Sequence, residues 1–424
     1  MIGRIDPSHR EVTVVGAGIS GLLAAYYLDR AGYEVTLHEA KDRAGGLIFT
    51  QTGALGISET AAHSLLVNDT ARALFADLGV KLLGVRPDAR ARYIWRPSLL
   101  FKPMRRFPLR FMEFIGLFLR AYFILAKPAP NLTVEEWTKR HLGQPALDYL
   151  VTPFVRGIYG CEPSELLLGL AFPALVVPRG HSLLSYALSK RWARPFGSGK
   201  RQKMMAPSGG MGALIAALRA RLTERLGERF RLNSEVEDLP GSDNLVLALP
   251  APAAARLLAR ASPELSAVLK SVRYSPLISV TVFVARESFV REPRGVGVLF
   301  PKNQNRKALG ILFNSSSFEG RVADSKYASF TFMLGDVPDE RVKPIVRTEL
   351  REVLGSQGEP EECVTHRWPA AVPRYDGNLR SALDCARLTW CAQPGRVLFG
   401  NFTGQVSIRG MIDSASQMAA PLQR

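Results

Sequence analysis

Cysteine is scarce in this chain of 424 residues. The four present, Cys161, Cys363, Cys385 and Cys391, form no C-x-x-C pair. That argues against a disulfide framework or a metal site, and for free thiols in a reducing, cytoplasmic compartment. Histidine is nearly as rare, with six. No Ser/His/Asp, Cys/His or metal-ligand constellation emerges, so no protein nucleophile, general base or metal is expected. Long apolar runs are missing too. Residues 1–10 are polar and hold no signal-peptide core, so export is not expected. The most apolar helical stretch, 111–126, is shorter than the ~20 residues a membrane span needs and is interrupted by Glu113 and Arg120. Acidic residues are in deficit, 38 against 55 Lys and Arg, for a net charge of +17. Such a balance suits an anionic partner. No nucleic-acid module accompanies it, which leaves anionic lipid, an acidic substrate or a merely solvated basic surface.

What is present is concentrated in residues 11–50. The β-branched run 12–15 suits a buried parallel strand. Gly16, Gly18 and Gly21 follow as G-x-G-x-x-G, with Ile19 and Ser20 between the last two. Gly16 permits the tight turn, Gly18 lets backbone approach a pyrophosphate, and Gly21 lets the helix lie close to the strand. The helix over 22–28 offers free N–H groups and a positive dipole end to that anion. Gly32 ends it and 35–37 is the next strand. Glu39, followed by Ala40, closes that strand about 20 residues past the glycines, where a carboxylate can bond a ribose hydroxyl. This frame predicts a bound dinucleotide; the alternative is a tight turn without a ligand.

Arg43, Gly45, Gly46 and Thr50 extend the line as Glu-x-x-x-Arg-x-Gly-Gly-x-x-x-Thr. This resembles the flavin-binding motif of the monoamine oxidase, phytoene desaturase and protoporphyrinogen oxidase superfamily. There the arginine and the second glycine pair hold the cofactor's diphosphate side. The resemblance implies FAD, bound non-covalently, and Glu39 argues against NADP. Leu47 departs from it, where many members have a basic residue. Glu59-Thr-Ala-Ala-His63 stands where relatives carry a Glu-x-Gly-Pro-Arg-like turn. Ala61, Ala62 and His63 replace its last three residues. In protoporphyrinogen oxidases that arginine is associated with the substrate cavity. His63 is therefore a candidate donor to a substrate carboxylate, stronger when protonated. The alternative is a turn histidine facing away.

Further matches follow in order. Residues 102–127 are basic and aromatic, with Phe111, Phe114, Ile115, Phe118, Tyr122 and Leu125 at helical spacing. They suit either a helix lying on anionic lipid or a core helix. Thr133 and Glu136 form a capping box. Residues 150–163 resemble the Leu-x-x-Pro-Phe-Val-x-Gly-Val-Tyr-Ala-Gly-Asp-Pro segment of protoporphyrinogen oxidases, with Gly157 matching a glycine at their substrate cavity. A basic linker spans 190–203. Val236 stands where relatives contact adenine through backbone. Residues 309–321 resemble the family's Leu-Gly-x-x-x-x-Ser-x-x-Phe-x-x-Arg, and 366–378 its Trp-x-x-Ala-x-Pro-Gln-Tyr-x-x-Gly-His, with Arg374 and Asn378 as departures. Gly400 ends a last strand. Ser407 and Ile408 open a helix whose N-terminus meets the flavin's pyrimidine edge in relatives; Gln405 and Ala415 replace glycines there.

The resemblance covers about residues 10–420 and implies an α/β protein with α+β lobes. A Rossmann-like FAD-binding domain would comprise residues 1–85, 204–262 and 362–424. Residues 86–203 would form a helical, membrane-associating lobe and 263–361 a substrate-binding β-sheet domain. The activity implied is oxidation of protoporphyrinogen IX to protoporphyrin IX in heme biosynthesis, by repeated hydride transfer to flavin N5 with oxygen as acceptor. His63, Gly157, Phe313 and Phe332 would line the substrate side. A tetrapyrrole substrate, peripheral contact with the inner face of the cell membrane and a homodimer complete the expected partners. An amine, a carotenoid or another tetrapyrrole as substrate stays open, as does a non-catalytic binder of flavin or tetrapyrrole.

Overall fold

The computed structural model describes residues 1–97, 104–126, 131–192, 202–304, 306–404 and 406–418. Among them, five parallel strands form one sheet in the order Phe230–Arg231, Glu34–His38, Glu11–Val15, Asn244–Leu247, Arg396–Leu398. The inner strand Asn244–Leu247 is buried throughout and reads as a near-continuous apolar run. Val12, Val14, Val246 and Val397 pack against the helices Ile19–Arg30, Gly212–Leu226 and Ile408–Met418. Val15, Leu245, Leu247 and Leu398 face the opposite layer, built from Ala251–Leu257, Pro263–Lys270 and Gly377–Leu388.

A second sheet has the order Glu362–Pro373, Tyr274–Ala285, Tyr327–Leu334, Ala308–Phe313, Gly297–Leu299, Arg92–Trp95, Met104–Arg105. It is antiparallel except where Gly297–Leu299 runs parallel to Arg92–Trp95. Two expected boundaries shift in consequence. Residues 86–203 supply two strands to this sheet as well as helices. Residues 362–373 belong to the sheet rather than to the nucleotide-binding domain, paired with Tyr274–Ala285 from Tyr274↔Pro373 to Phe283↔Glu362. One face of the sheet packs Val280, Val282, Phe330 and Phe332 against Val342, Ile345 and Val346 of the helix Asp339–Glu352. The other face meets the turn around residues 57–63. The capping box at Thr133 is formed: the Glu136 N–H bonds Thr133 Oγ1 at 3.2 Å and the Thr133 N–H bonds Glu136 Oε2 at 2.9 Å. Residues 193–201 of the expected basic linker lie outside the described residues.

Candidate active site

The three glycines after Glu11–Val15 are required for three different reasons. Gly16 sits at φ +97°, and a Cβ there would stand 2.7 Å from the Ala248 carbonyl oxygen. A Cβ on Gly21 would stand 1.8 Å from the Gly16 carbonyl oxygen, so helix and turn touch backbone to backbone. Gly18 has an ordinary φ of −63°, and the nearest described atom to its Cβ position is the Gly46 Cα at 4.0 Å. The protein's own packing does not demand glycine there; a ligand drawn onto the backbone would. Gly45, at φ +109°, donates its N–H to the Ala17 carbonyl at 2.8 Å. Arg43 braces Gly46, donating from Nη2 to its carbonyl at 2.9 Å. Half-buried Glu39 accepts the Ala17 N–H at 2.8 Å and the Lys41 N–H at 3.1 Å, with Ala40 exposed beside it.

Other elements converge on this turn. Gly45 abuts Ile215 of the helix Gly212–Leu226. Ser407 caps the helix Ile408–Met418 by accepting the Gly410 N–H at 3.1 Å. Ser20 Oγ reaches Met411 Sδ at 3.3 Å, which seats that helix against Ile19–Arg30. Gly400 is buried, its Cβ position 3.4 Å from the Leu249 carbonyl oxygen, and Val236 is half-buried beyond Phe230–Arg231. Gln405 lies outside the described residues.

Between the turn and the antiparallel sheet lies a buried ion pair that sequence reasoning missed. Arg321 Nη1 bonds Glu59 Oε1 at 2.7 Å, with the two side chains 4% and 2% exposed. The same Oε1 accepts the Met211 N–H at 2.8 Å, and Oε2 accepts Thr50 Oγ1 at 2.7 Å. Thr50 Oγ1 in turn accepts the Gly212 N–H at 2.7 Å. The carboxylate is thus surrounded by donors from three segments, which is what a buried charge requires. Trp368 Nε1 donates to the Thr60 carbonyl at 2.7 Å, and Ser58 Oγ approaches His366 Nε2 at 3.4 Å.

His63 closes this turn. Arg321 Nη2 donates to its carbonyl at 3.3 Å. Part of the residue reaches solvent, but Nε2 is buried without a hydrogen-bond partner. Burial, then the charge of Arg321, then His366 push its pKa down from 6.5 to about 3. The expected protonated donor is corrected: at neutral pH His63 is uncharged. Phe313 and Phe332 are also corrected. Both are fully buried on the helix-facing side of the sheet, beside Phe330. Their strands carry Leu309 and Met333 on the turn-facing side, packed with Leu277. Gly157 lies on the helix Thr152–Tyr159, where a Cβ would stand 2.8 Å from Leu299 Cδ2. The helix passes close over the sheet at that glycine.

The model of the flavin containing amine oxidoreductase family matches residues 19–240 and 241–420. The chain belongs to that family. It is 27% identical to the mitochondrial protoporphyrinogen oxidase of Nicotiana tabacum, over 97% of this chain and 94% of that one. It is 25% identical to the coproporphyrinogen III oxidase of Bacillus subtilis (strain 168), over 95% and 96%. The cyclohexylamine oxidase of Brevibacterium oxydans IH-35A shares its fold, with a TM-score of 0.67 at 18% identity, covering 98% of this chain and all of the other.

As a flavin amine oxidoreductase the chain is an FAD-dependent oxidoreductase. Its site fits that cofactor: Gly18 presents bare backbone at a helix N-terminus, with the Gly46 Cα, at 4.0 Å, the nearest described atom to its Cβ position.

The helix Phe111–Phe123 is inverted for a soluble protein. Its acid points inward: Arg96 holds Glu113 bidentately at 2.8 and 2.9 Å and lies 3.7 Å over the Tyr149 ring. That bond, ahead of the Arg110 N–H, keeps the Glu113 carboxyl below its usual range despite burial. Its aromatics point outward, with Phe111 76%, Phe118 49% and Phe123 67% exposed. Among the described residues no helix is long and apolar enough to cross a membrane. Of the basic residues expected to flank this helix, Lys102 and Lys127 lie outside the described residues.

Proposed function

We propose that this flavoprotein oxidises protoporphyrinogen IX to protoporphyrin IX, the step that yields the aromatic macrocycle for heme. The observation that carries the reading is the near end-to-end similarity to oxidases of porphyrinogens. FAD held in the site would supply N5 as the acceptor for hydride from the saturated carbon and a route for the electrons to dioxygen. Three rounds remove six hydrogens and turn three dioxygen molecules into three of hydrogen peroxide.

The chain's own work is binding and orientation. The backbone of Gly16, Gly18, Ile19, Ser20 and Gly21, with Arg43, Gly45 and Gly46, would hold the diphosphate. Glu39 and Ala40 would meet the ribose and Val236 the adenine. Gly400, Ser407 and Ile408 would face the flavin, where the N–H groups opening Ile408–Met418 favour negative charge. On the substrate side, apolar Leu277, Leu309 and Met333 suit a macrocycle, and neutral His63 offers one hydrogen bond without a charge. Coproporphyrinogen III is the second reading, favoured by comparable identity to the Bacillus enzyme. The test is aerobic incubation with each porphyrinogen, following porphyrin fluorescence and peroxide. Peroxide formed in a three-to-one ratio to protoporphyrin supports the proposal; no porphyrin above the uncatalysed rate refutes it.

The outward aromatics of Phe111–Phe123 also support peripheral membrane attachment, since burying such a patch in a bilayer interface removes apolar surface from water. An apolar substrate would then reach the enzyme from the lipid phase.

A further inference from the structure

We propose that an open cleft of about 380 Å³, lined by Pro87, Asp88, Arg90, Ala91, Arg92 and Arg106, binds the phosphate of an anionic phospholipid headgroup. The site rests on the membrane attachment proposed above and specifies the lipid chemistry it selects. Arg90, Arg92 and Arg106 are all exposed, and none has an ion-pair partner among the described residues. The undescribed stretches contain no Asp or Glu. The one acid of the cleft, Asp88, is already engaged, by Arg294 at 2.9 Å and Arg86 at 3.7 Å. Among the described residues, the Arg92 guanidinium donates to the weak acceptor Met204 Sδ, at 3.7 Å. Three guanidiniums without an ion-pair partner among the described residues line one cleft, and a phosphate accepts the paired N–H groups such cations offer.

The neighbourhood decides which phosphate. Arg106 is followed by Phe107, 54% exposed, whose ring meets Phe114 of the outward-facing helix at 5.5 Å. Cation and apolar surface therefore adjoin within one residue. A phospholipid supplies both counterparts, phosphate for the arginines and acyl chain for Phe107, Phe111 and Phe114. A soluble phosphate or a nucleic acid leaves the aromatic surface in water.

The test is flotation of the FAD-loaded protein with vesicles of phosphatidylcholine alone or mixed equally with phosphatidylglycerol. Each cation near an anionic surface is worth about fivefold in affinity. The triple variant Arg90→Gln, Arg92→Gln, Arg106→Gln should bind mixed vesicles roughly a hundredfold more weakly, with little change on phosphatidylcholine. A control, Arg219→Gln, Arg256→Gln, Arg291→Gln, removes the same charge from exposed positions elsewhere and should lose much less. Equal losses in the two triple variants would make the effect one of diffuse charge and overturn the site. Phe111→Ser with Phe118→Ser separates the two levels: if it binds both vesicles as wild type does, membrane attachment by the helix fails. If it weakens binding while the cleft variant does not, only the headgroup site fails. Inorganic phosphate or duplex DNA binding without vesicles, lost in the cleft variant while vesicle binding persists, would assign the cleft to a soluble or nucleic-acid phosphate and overturn the lipid.

Discussion

Replacing Arg321 with methionine leaves Glu59 charged and buried. The carboxylate is 2% exposed and keeps the Thr50 hydroxyl and the Met211 N–H, but loses its counter-charge at 2.7 Å. Removing one partner of a buried pair costs about 3–5 kcal/mol. The two surviving hydrogen bonds put the expected loss near the lower end, about 3 kcal/mol. With ~2.1 cal/mol/K of unfolding entropy per residue over 424 residues, the whole chain has about 0.9 kcal/mol/K, so Tm falls by about 3–4 °C for a single transition. Adding Glu59→Gln removes the stranded charge and should restore most of that loss, since a buried pair removed whole is often nearly neutral. The assay is thermal unfolding of the FAD-loaded protein, followed by circular dichroism and by the rise of flavin fluorescence on release. Both signals should move together, because Glu59 also holds the start of the helix Gly212–Leu226 beside Gly45. If Arg321→Met melts like wild type, or the double variant melts lower than the single, the pair does not work as described.

Gly18→Val should fold and lose FAD, whereas Gly21→Val should fail to fold, because only the second places its Cβ 1.8 Å from backbone; folded Gly18→Val protein with full flavin would be the contrary result. His63, held at about 3 by burial and Arg321, is neutral throughout pH 6–8.5, so the KM for a porphyrinogen should show no inflection that disappears in His63→Gln. The unfolded chain takes up that proton below about pH 6.5 while the folded one resists to about 3, so wild type should lose stability as pH falls across this window and His63→Gln should lose less; equal acid sensitivity in denaturant titrations would count against it. Phe111→Ser with Phe118→Ser should leave turnover on detergent-dispersed substrate unchanged and reduce vesicle cosedimentation, which equal pelleting would contradict.

The glycine turn was legible in the sequence where its geometry is local, as Gly21 meets the Gly16 carbonyl; the contact of Gly16 with Ala248, remote along the chain, was not. The Glu59–Arg321 pair was not, since its partners lie 262 residues apart and nothing near either names the other. Phe313 and Phe332 show a different limit. Strand character was readable, but a shift of one residue exchanges the faces of a sheet, and only the packing of Asp339–Glu352 identifies which face is covered. The pairing of residues 362–373 with Tyr274–Ala285 was not legible either, because no short-range pattern assigns their partner strand. For the helix Phe111–Phe123 the apolar stripe was visible in the spacing. Its direction was not, because the stripe faces out only by virtue of Glu113 turning in to Arg96.

The central claim, that this flavin amine oxidoreductase removes hydrogen from a porphyrinogen, is tested most directly without oxygen. The purified yellow protein is mixed anaerobically with protoporphyrinogen IX, coproporphyrinogen III, a primary amine or a carotenoid precursor, and the visible flavin bands are followed. Rapid bleaching by protoporphyrinogen IX is expected, with protoporphyrin appearing in step, and none by the amine or the carotenoid precursor. Flavin that stays oxidised with both porphyrinogens, or that bleaches faster with the amine, would contradict it.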